Sequence, residues 1–125
     1  MRPELVKRRQ QPGGTKDGTM TDQSLQQLQE RVEQWAGRYW GGEYWPPLAN
    51  LARLVEEVGE LSRALNQQHG EKRLKAGEAP ADIEIELGDI LFVLACIANS
   101  TGADLQRGFD AALEKYRTRD EEPSD

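Results

Sequence analysis

The amino-acid sequence predicts an all-α protein, a helical bundle of about four helices. Apolar residues recur three and four positions apart over four separate segments, which is the spacing of one face of an α-helix. No segment of any length alternates apolar and polar residues in the manner of a half-buried β-strand. Stretches containing glycine and proline separate the four segments. Consecutive helices packed against one another are therefore expected.

Helix 1 is predicted over residues 22–38, with Thr21 and Asp22 as its N-cap signal. Helix 2 is predicted to open at Pro46-Pro47, since proline is tolerated in a first turn, and to run to about Gln68. The expected core stripe of helix 1 comprises Leu25, Leu28, Val32 and Trp35. The expected apolar face of helix 2 comprises Leu48, Leu51, Leu54, Val55, Val58, Leu61 and Leu65.

Helix 3 is predicted over residues 81–100, ended by Gly102, and helix 4 over residues 104–119, capped by Asp104. Helix 3 is apolar nearly all round, so it should be buried on most sides. One subunit has too few helices to enclose it. The core is therefore expected to be completed by homo-oligomerisation, at least as a dimer.

Both ends of the chain differ in composition from the middle. Residues 1–20 are predicted to be a flexible basic tail, which we expect to be dispensable, and residues 121–125 a frayed C-terminus. Residues 21–120 are predicted to form one helical domain. The first 19 residues carry a net charge of +3, which leaves −9 for the remainder of a chain whose total is −6.

The acidic body argues against stable nucleic-acid binding and is compatible with metal cations. No apolar run reaches the roughly 18–20 residues that a membrane span needs, so no membrane association is expected. Cys96 is the only cysteine and lies among apolar residues, which predicts a buried core thiol. A single cysteine favours a cytoplasmic location.

Two pairs of acidic residues stand at helical spacing on or beside apolar faces. Glu57 and Glu60 lie in RLVEEVGEL of helix 2, and Glu86 and Asp89 lie in IELGDILF of helix 3. If the two helices pack antiparallel, four carboxylates can converge, and they cannot all stay ionised without a cation. Oxygen ligands favour a hard divalent cation such as Mg²⁺.

A purely structural role for these acids is also compatible with the sequence. A buried salt bridge from Asp89 to Arg53 or Arg63 would equally hold a carboxylate in an apolar helix. A di-iron carboxylate site is disfavoured, because His69 is the only histidine and stands at a helix end. No Walker-type phosphate loop is present, so phosphate would be held by metal and side chains.

The motifs EEVGEL and ELGDILFVLACIAN, in this order, resemble the MazG-like nucleotide pyrophosphohydrolases of the all-α NTP pyrophosphatase superfamily. YWPPLANLARL and EKYRTRD are similar to its short, single-domain branch, and the resemblance covers about residues 25–120. It implies a homodimer or homotetramer that cleaves a nucleoside triphosphate to the monophosphate and pyrophosphate with Mg²⁺, or Mn²⁺. Glu57, Glu60, Glu86 and Asp89 are then the implied metal ligands.

The remaining candidate residues are assigned by chemistry beside this resemblance. Glu56 or Glu57 is the predicted acceptor of the water proton. In the resembled family, basic or amide groups near the start of the last helix's second half contact the phosphates, so the resemblance implies such contacts here. Trp40 and Trp45 are expected to sandwich a base. Each candidate also has a structural alternative. Asn99 could cap helix 3, and Lys115 and Arg119 could pair with the acidic residues at the end of helix 4. The tryptophans could seal the helical bundle. The nominated phosphate contacts are Lys115 and Arg119, and Asn99 is a candidate substrate contact.

Three functions remain in competition on sequence grounds. The first is a house-cleaning nucleotide pyrophosphatase acting on dNTPs or non-canonical NTPs. The second is a phosphoribosyl-ATP pyrophosphohydrolase, which shares the acid pattern. The third is a non-enzymatic helical oligomer that serves as an interaction module.

Overall fold

The computed structural model describes residues 4–7, 23–70 and 74–121. Over these ranges the chain forms four helices and no strand. The all-α class predicted from the sequence is confirmed. The four helices are α1 (Leu25–Tyr39), α2 (Pro47–His69), α3 (Ile83–Thr101) and α4 (Leu105–Glu121).

Local side-chain hydrogen bonds define where the helices begin. Ser24 caps α1 in a capping box, in which its hydroxyl accepts from the Gln27 backbone at 3.1 Å and Gln27 accepts from the Ser24 backbone at 2.9 Å. The cap predicted at Thr21 and Asp22 was placed too early; those two residues lie outside the described ranges, and α1 begins at Leu25.

The other predicted helix ends are close to those observed. Pro47 occupies the first position of α2, and Asp82 caps α3 by accepting from the Glu84 backbone at 2.9 Å. Gly102 ends α3 with a φ of +77°, a left-handed conformation that favours glycine. Asp104 accepts from the Arg107 backbone at 3.1 Å, as predicted for the cap of α4.

The helices α2 and α3 form the central antiparallel pair. The end of α2 is tied to the start of α3, because Ala81 donates to Gln67 at 3.1 Å and accepts from Gln68 at 2.9 Å. The helix α1 packs on α3, and α4 packs on α1. The antiparallel pairing assumed for the acidic motifs is therefore present.

The core is small and centres on the second half of α3. Val93 and Cys96 are the largest fully buried side chains, and Val32 of α1 packs with Ala95 and Cys96. The buried thiol predicted for Cys96 is present, and burial raises its pKa. Two expectations were wrong. Trp35 is 50% exposed, and the apolar face of α2 splits, with five of its seven residues directed outward.

A large apolar surface is left open on the single chain. On α2 the outward residues have exposures from 41% to 79%. They are Leu48, Leu51, Val55, Val58 and Leu65. On α4, Phe109, Leu113 and Tyr116 are also exposed, and Leu87 and Leu91 extend the surface on α3. One chain therefore does not enclose its apolar residues. Within the described ranges, no helix has the length and apolar composition needed to cross a membrane.

Candidate metal centre

Three of the four predicted metal ligands meet where α2 crosses the first half of α3. One carboxylate oxygen each from Glu57, Glu86 and Asp89 lies within 4.8 Å of the others. Glu57 and Glu86 are half-buried, and Asp89 is exposed. The acids precede the buried part of α3, which begins at Val93. The apolar helix 3 therefore accommodates its acids at the edge of the core.

The cluster has a strongly negative electrostatic character. Partial burial raises the pKa of the Glu86 carboxyl, because desolvation disfavours its charged form. The charges of Asp89, Glu60 and Glu57 raise this pKa further, in that order. Arg63 acts in the opposite direction and is the weakest contributor. The local charge is therefore not balanced by the protein itself.

The two arginines that could have neutralised Asp89 are engaged elsewhere. Arg63 forms an ion pair with Glu78. The Arg53 guanidinium lies 5.4 Å from the Trp45 ring centroid and 5.6 Å from that of Phe92. Among the described residues, no cation forms an ion pair with Asp89. The salt bridge considered for this acid is therefore not what the structure shows.

The donor set fits a hard divalent cation. All three donors are carboxylate oxygens, which Mg²⁺ and Mn²⁺ prefer, and within the described ranges no histidine or thiol joins the group. Glu57, Glu86 and Asp89 would each supply one oxygen to such an ion, because these oxygens lie within 4.8 Å of one another. Residues of this type at this spacing are chemically suited to the ion predicted from the sequence.

The other two acidic candidates lie beside this group. Glu60 is exposed and is not one of the three converging residues, although its charge reaches Glu86. Glu56 is exposed on α2 and is likewise outside the group. Both keep the roles predicted for them, metal ligation for Glu60 and proton acceptance for Glu56, as predictions.

Asn99 is half-buried between α1, α3 and the loop before α2. Its amide oxygen accepts from Gln29 at 3.0 Å, and its amide nitrogen donates to the Gln29 carbonyl and to the Tyr44 hydroxyl, both at 3.1 Å. The capping role weighed for Asn99 is wrong, because α3 continues to Thr101. Its substrate contact stays a prediction.

The predicted cations of α4 lie far along that helix. Lys115 and Arg119 each place their charge 5.0 Å from the Tyr116 ring centroid, and Arg119 also pairs with Asp120 at 3.0 Å. The helix α4 packs mainly on α1, so contacts within the chain do not bring these cations to the acidic group. Their phosphate contact stays a prediction.

Among the clefts formed by the described residues, two border the helices that carry the acids. The larger, about 440 Å³, lies between α1 and the first half of α3 and includes Trp35, Tyr39 and Gly88 in its walls. The smaller, about 280 Å³, lies at the start of α2 and has both predicted base-contacting residues, Trp40 and Trp45, in its walls. Arg53, considered from the sequence only as a salt-bridge partner of Asp89, also lies in the wall of this cleft, one turn before Glu57.

Comparisons with known proteins identify the family of the chain. The family model of the MazG nucleotide pyrophosphohydrolase domain matches residues 46–123, which include both acidic motifs. The protein YpjD of Bacillus subtilis (strain 168) is 43% identical over 103 residues, 82% of this chain and 92% of YpjD.

Two solved structures have the same fold. The crystal structure of YpjD from Bacillus subtilis, described as a candidate pyrophosphatase, has a TM-score of 0.67 and 42% identity, covering 78% of this chain and 98% of that one. The Bacillus-conserved MazG protein, a nucleotide pyrophosphohydrolase, has a TM-score of 0.66 and 40% identity, covering 82% of this chain and 98% of that one.

Members of the matched family typically depend on a divalent metal, which agrees with the carboxylate group at the α2–α3 crossing. The family match spans more than half of the chain, and the sequence resemblance to MazG-like enzymes is confirmed. The chain therefore belongs to the MazG nucleotide pyrophosphohydrolase family and is a nucleoside triphosphate pyrophosphohydrolase.

Proposed function

We propose that this enzyme hydrolyses dNTPs or non-canonical NTPs to the monophosphate and pyrophosphate in a house-cleaning role, with Mg²⁺, or Mn²⁺, as its metal. The observation that carries the proposal is the convergence of Glu57, Glu86 and Asp89 without a protein cation to balance them. A triphosphate that arrives with its metal matches this charge, whereas a free anion would be repelled. Glu60 completes the proposed ligand set.

The bound ion would neutralise phosphate oxygens and acidify a water molecule. The chain's own part is to hold the triphosphate so that water attacks the α-phosphorus in line with the bridging oxygen that leaves. A bond forms from the water oxygen to the α-phosphorus, the bond to that bridging oxygen breaks, and pyrophosphate departs. A carboxylate of Glu56 or Glu57, not fully committed to the metal, accepts the water proton.

The functional unit is proposed to be a homodimer or a homotetramer. The supporting observation is the row of exposed apolar residues on α2, of which Val55 is 65% exposed. A continuous apolar face of this kind is typical of an interface between subunits. The second subunit is also the proposed source of Lys115 and Arg119 for the phosphates.

The test is a product analysis. The purified protein is incubated with Mg²⁺ or Mn²⁺ and a panel of canonical and modified NTPs and dNTPs, together with phosphoribosyl-ATP. Monophosphate and pyrophosphate from an NTP or a dNTP are expected. Turnover of phosphoribosyl-ATP alone would replace the proposed substrate class, and diphosphate with phosphate would refute the position of attack.

A matched pair of variants connects the activity to the acidic group. Glu57→Gln should lose hydrolysis, because it removes one of the three converging carboxylates. Glu30→Gln makes the same chemical change on the exposed face of α1 and should retain it. Equal activity of the two variants would refute the role of the acidic group.

A further inference from the structure

Asn50, in the first turn of α2, is the single buried polar side chain among the described residues, at 2% exposure. Its amide nitrogen donates to the Trp45 carbonyl at 3.5 Å, the outer limit for a hydrogen bond. None of the described residues donates to its amide oxygen. A buried amide with so little hydrogen bonding is unfavourable unless another partner is supplied.

The unpaired oxygen of Asn50 opens into the smaller cleft. No described side-chain polar atom is both sealed from solvent and without a partner, so this oxygen is accessible from the cleft that Asn50 lines. Its orientation is set by Trp45. The Trp45 carbonyl can only accept, so the amide nitrogen faces that carbonyl, which leaves the amide oxygen as the free acceptor.

The cleft has the size and walls expected for a flat heterocycle. Its volume is about 280 Å³, below the roughly 300–1,000 Å³ of pockets for larger ligands. Trp40 is held edge-on against Phe92, with ring centroids 5.8 Å apart. Aromatic faces stack on any nucleobase. The six lining residues are Trp40, Glu43, Tyr44, Trp45, Asn50 and Arg53.

Along both α2 and α3, residues at the cleft are about one helical turn from residues of the acidic group. Arg53 lines the cleft and precedes Glu57 by four residues, which is about 6 Å along the helix axis. Phe92, beneath the Arg53 guanidinium, follows Asp89 by three residues, or about 4.5 Å. A nucleotide with its phosphates at the acids would thus place its base near Asn50.

We propose that this cleft is the nucleobase subsite, and that the Asn50 amide oxygen accepts a hydrogen bond from an exocyclic amino group of the base. The inference rests on the proposed function and deepens it by naming the preferred base class, amino-bearing pyrimidine or purine. The Glu43 carboxylate, a second acceptor in the wall, adds to the preference. A base with an oxo group at the same position has no hydrogen to donate there, and its oxygen would face the acceptor oxygens of Asn50 and Glu43.

Two substrate pairs that differ only in this group test the inference. The value of kcat/KM for dCTP is compared with that for dUTP, and the value for dATP with that for dITP. A roughly tenfold preference for the amino-bearing member is expected, the size of one hydrogen bond. Equal or reversed values in the wild-type protein would overturn the inference while leaving the pyrophosphohydrolase activity established.

Variants of two asparagines on α2 give the matched comparison. Asn50→Leu should bring both ratios close to one. Asn66→Leu should leave them unchanged, because the exposed Asn66 amide contacts only Ser62. Retention of the preference in a folded Asn50→Leu protein would refute the assignment. Thermal unfolding establishes that each variant is folded.

A binding measurement decides the inference independently of hydrolysis. Because two tryptophans line the cleft, dCMP should quench the tryptophan fluorescence of the wild-type protein with roughly tenfold higher affinity than dUMP. The same experiment applies if Asn50→Leu fails to fold or if no triphosphate is cleaved. Equal affinities, or no quenching by either nucleotide, would overturn the subsite.

Discussion

Replacement of Asp89 by asparagine separates a metal ligand from a structural acid. Asp89 is exposed and has no ion-pair partner among the described residues. Loss of its charge should therefore change the free energy of unfolding of the metal-free protein by no more than about 0.5 kcal/mol, or raise it slightly. A buried salt bridge would instead lose about 3–5 kcal/mol on removal of one partner.

The stabilisation of the folded protein by bound metal should, in contrast, decrease when Asp89 is replaced. A cation present at 100 times its Kd stabilises a folded protein by about 2.7 kcal/mol. For a chain of this length that corresponds to a rise in Tm of roughly 10 °C. Asp89→Asn should lose most of this rise, since one of three converging carboxylates is gone. Hydrolysis should fall by about 100-fold or more, because mutation of a residue that only supports a metal ligand already costs up to about 100-fold in activity.

The assay is thermal unfolding in EDTA and in a series of Mg²⁺ concentrations, with pyrophosphate release measured on the same samples. Asp110→Asn is the control, because Asp110 is an exposed α4 residue that accepts only from Gln106. A metal-free Asp89→Asn protein that is destabilised by several kcal/mol would refute the reasoning. So would a full metal-dependent rise in its Tm.

The remaining predictions concern pH, the thiol and the oligomer. Burial raises the pKa of Glu86 in the folded state, so the folded state binds this proton more tightly than the unfolded state, and the contribution to stability is lost as pH rises through the folded-state pKa. With metal removed by EDTA, the Tm of the wild-type protein should therefore fall relative to the Tm of Glu86→Gln as the pH rises through this pKa. Parallel profiles of Tm against pH for the two proteins would contradict this prediction. Burial also raises the pKa of Cys96, so a thiol reagent should label it only on unfolding; rapid labelling under native conditions would contradict its burial. Val55→Asp should dissociate the proposed oligomer in size-exclusion chromatography with light scattering, whereas Glu30→Gln should not.

Much of the fold could be predicted because it depends on local interactions. The glycine at position 102 and the acid at position 104 act within one turn of the helices they delimit. The start of α1, which the sequence analysis placed too early, also depends on a local interaction. Ser24 with Gln27 forms a complete capping box, and this competes better than an isolated Thr21-Asp22 signal.

Helical spacing alone could not show which apolar side chains of α1 and α2 face the core and which face outward. The seven apolar residues of α2 span too wide an arc to face one neighbour, and only packing against α3 decides that Leu54 and Leu61 turn inward. Trp35 shares the helical spacing of Val32, yet α3 covers only one of them. Periodicity records which side chains are apolar, not how many neighbours are available to cover them.

The acidic site divides along the same line. The sequence by itself determined the ligand type, because carboxylate oxygens, where they converge, favour a hard cation. Only the tertiary structure decided that Glu57, rather than Glu60, converges with the acids of α3, and that Asn50 opens onto an aromatic cleft one turn away. Chemistry is a property of each side chain, whereas convergence depends on the rotation of one helix against another, which distant residues set.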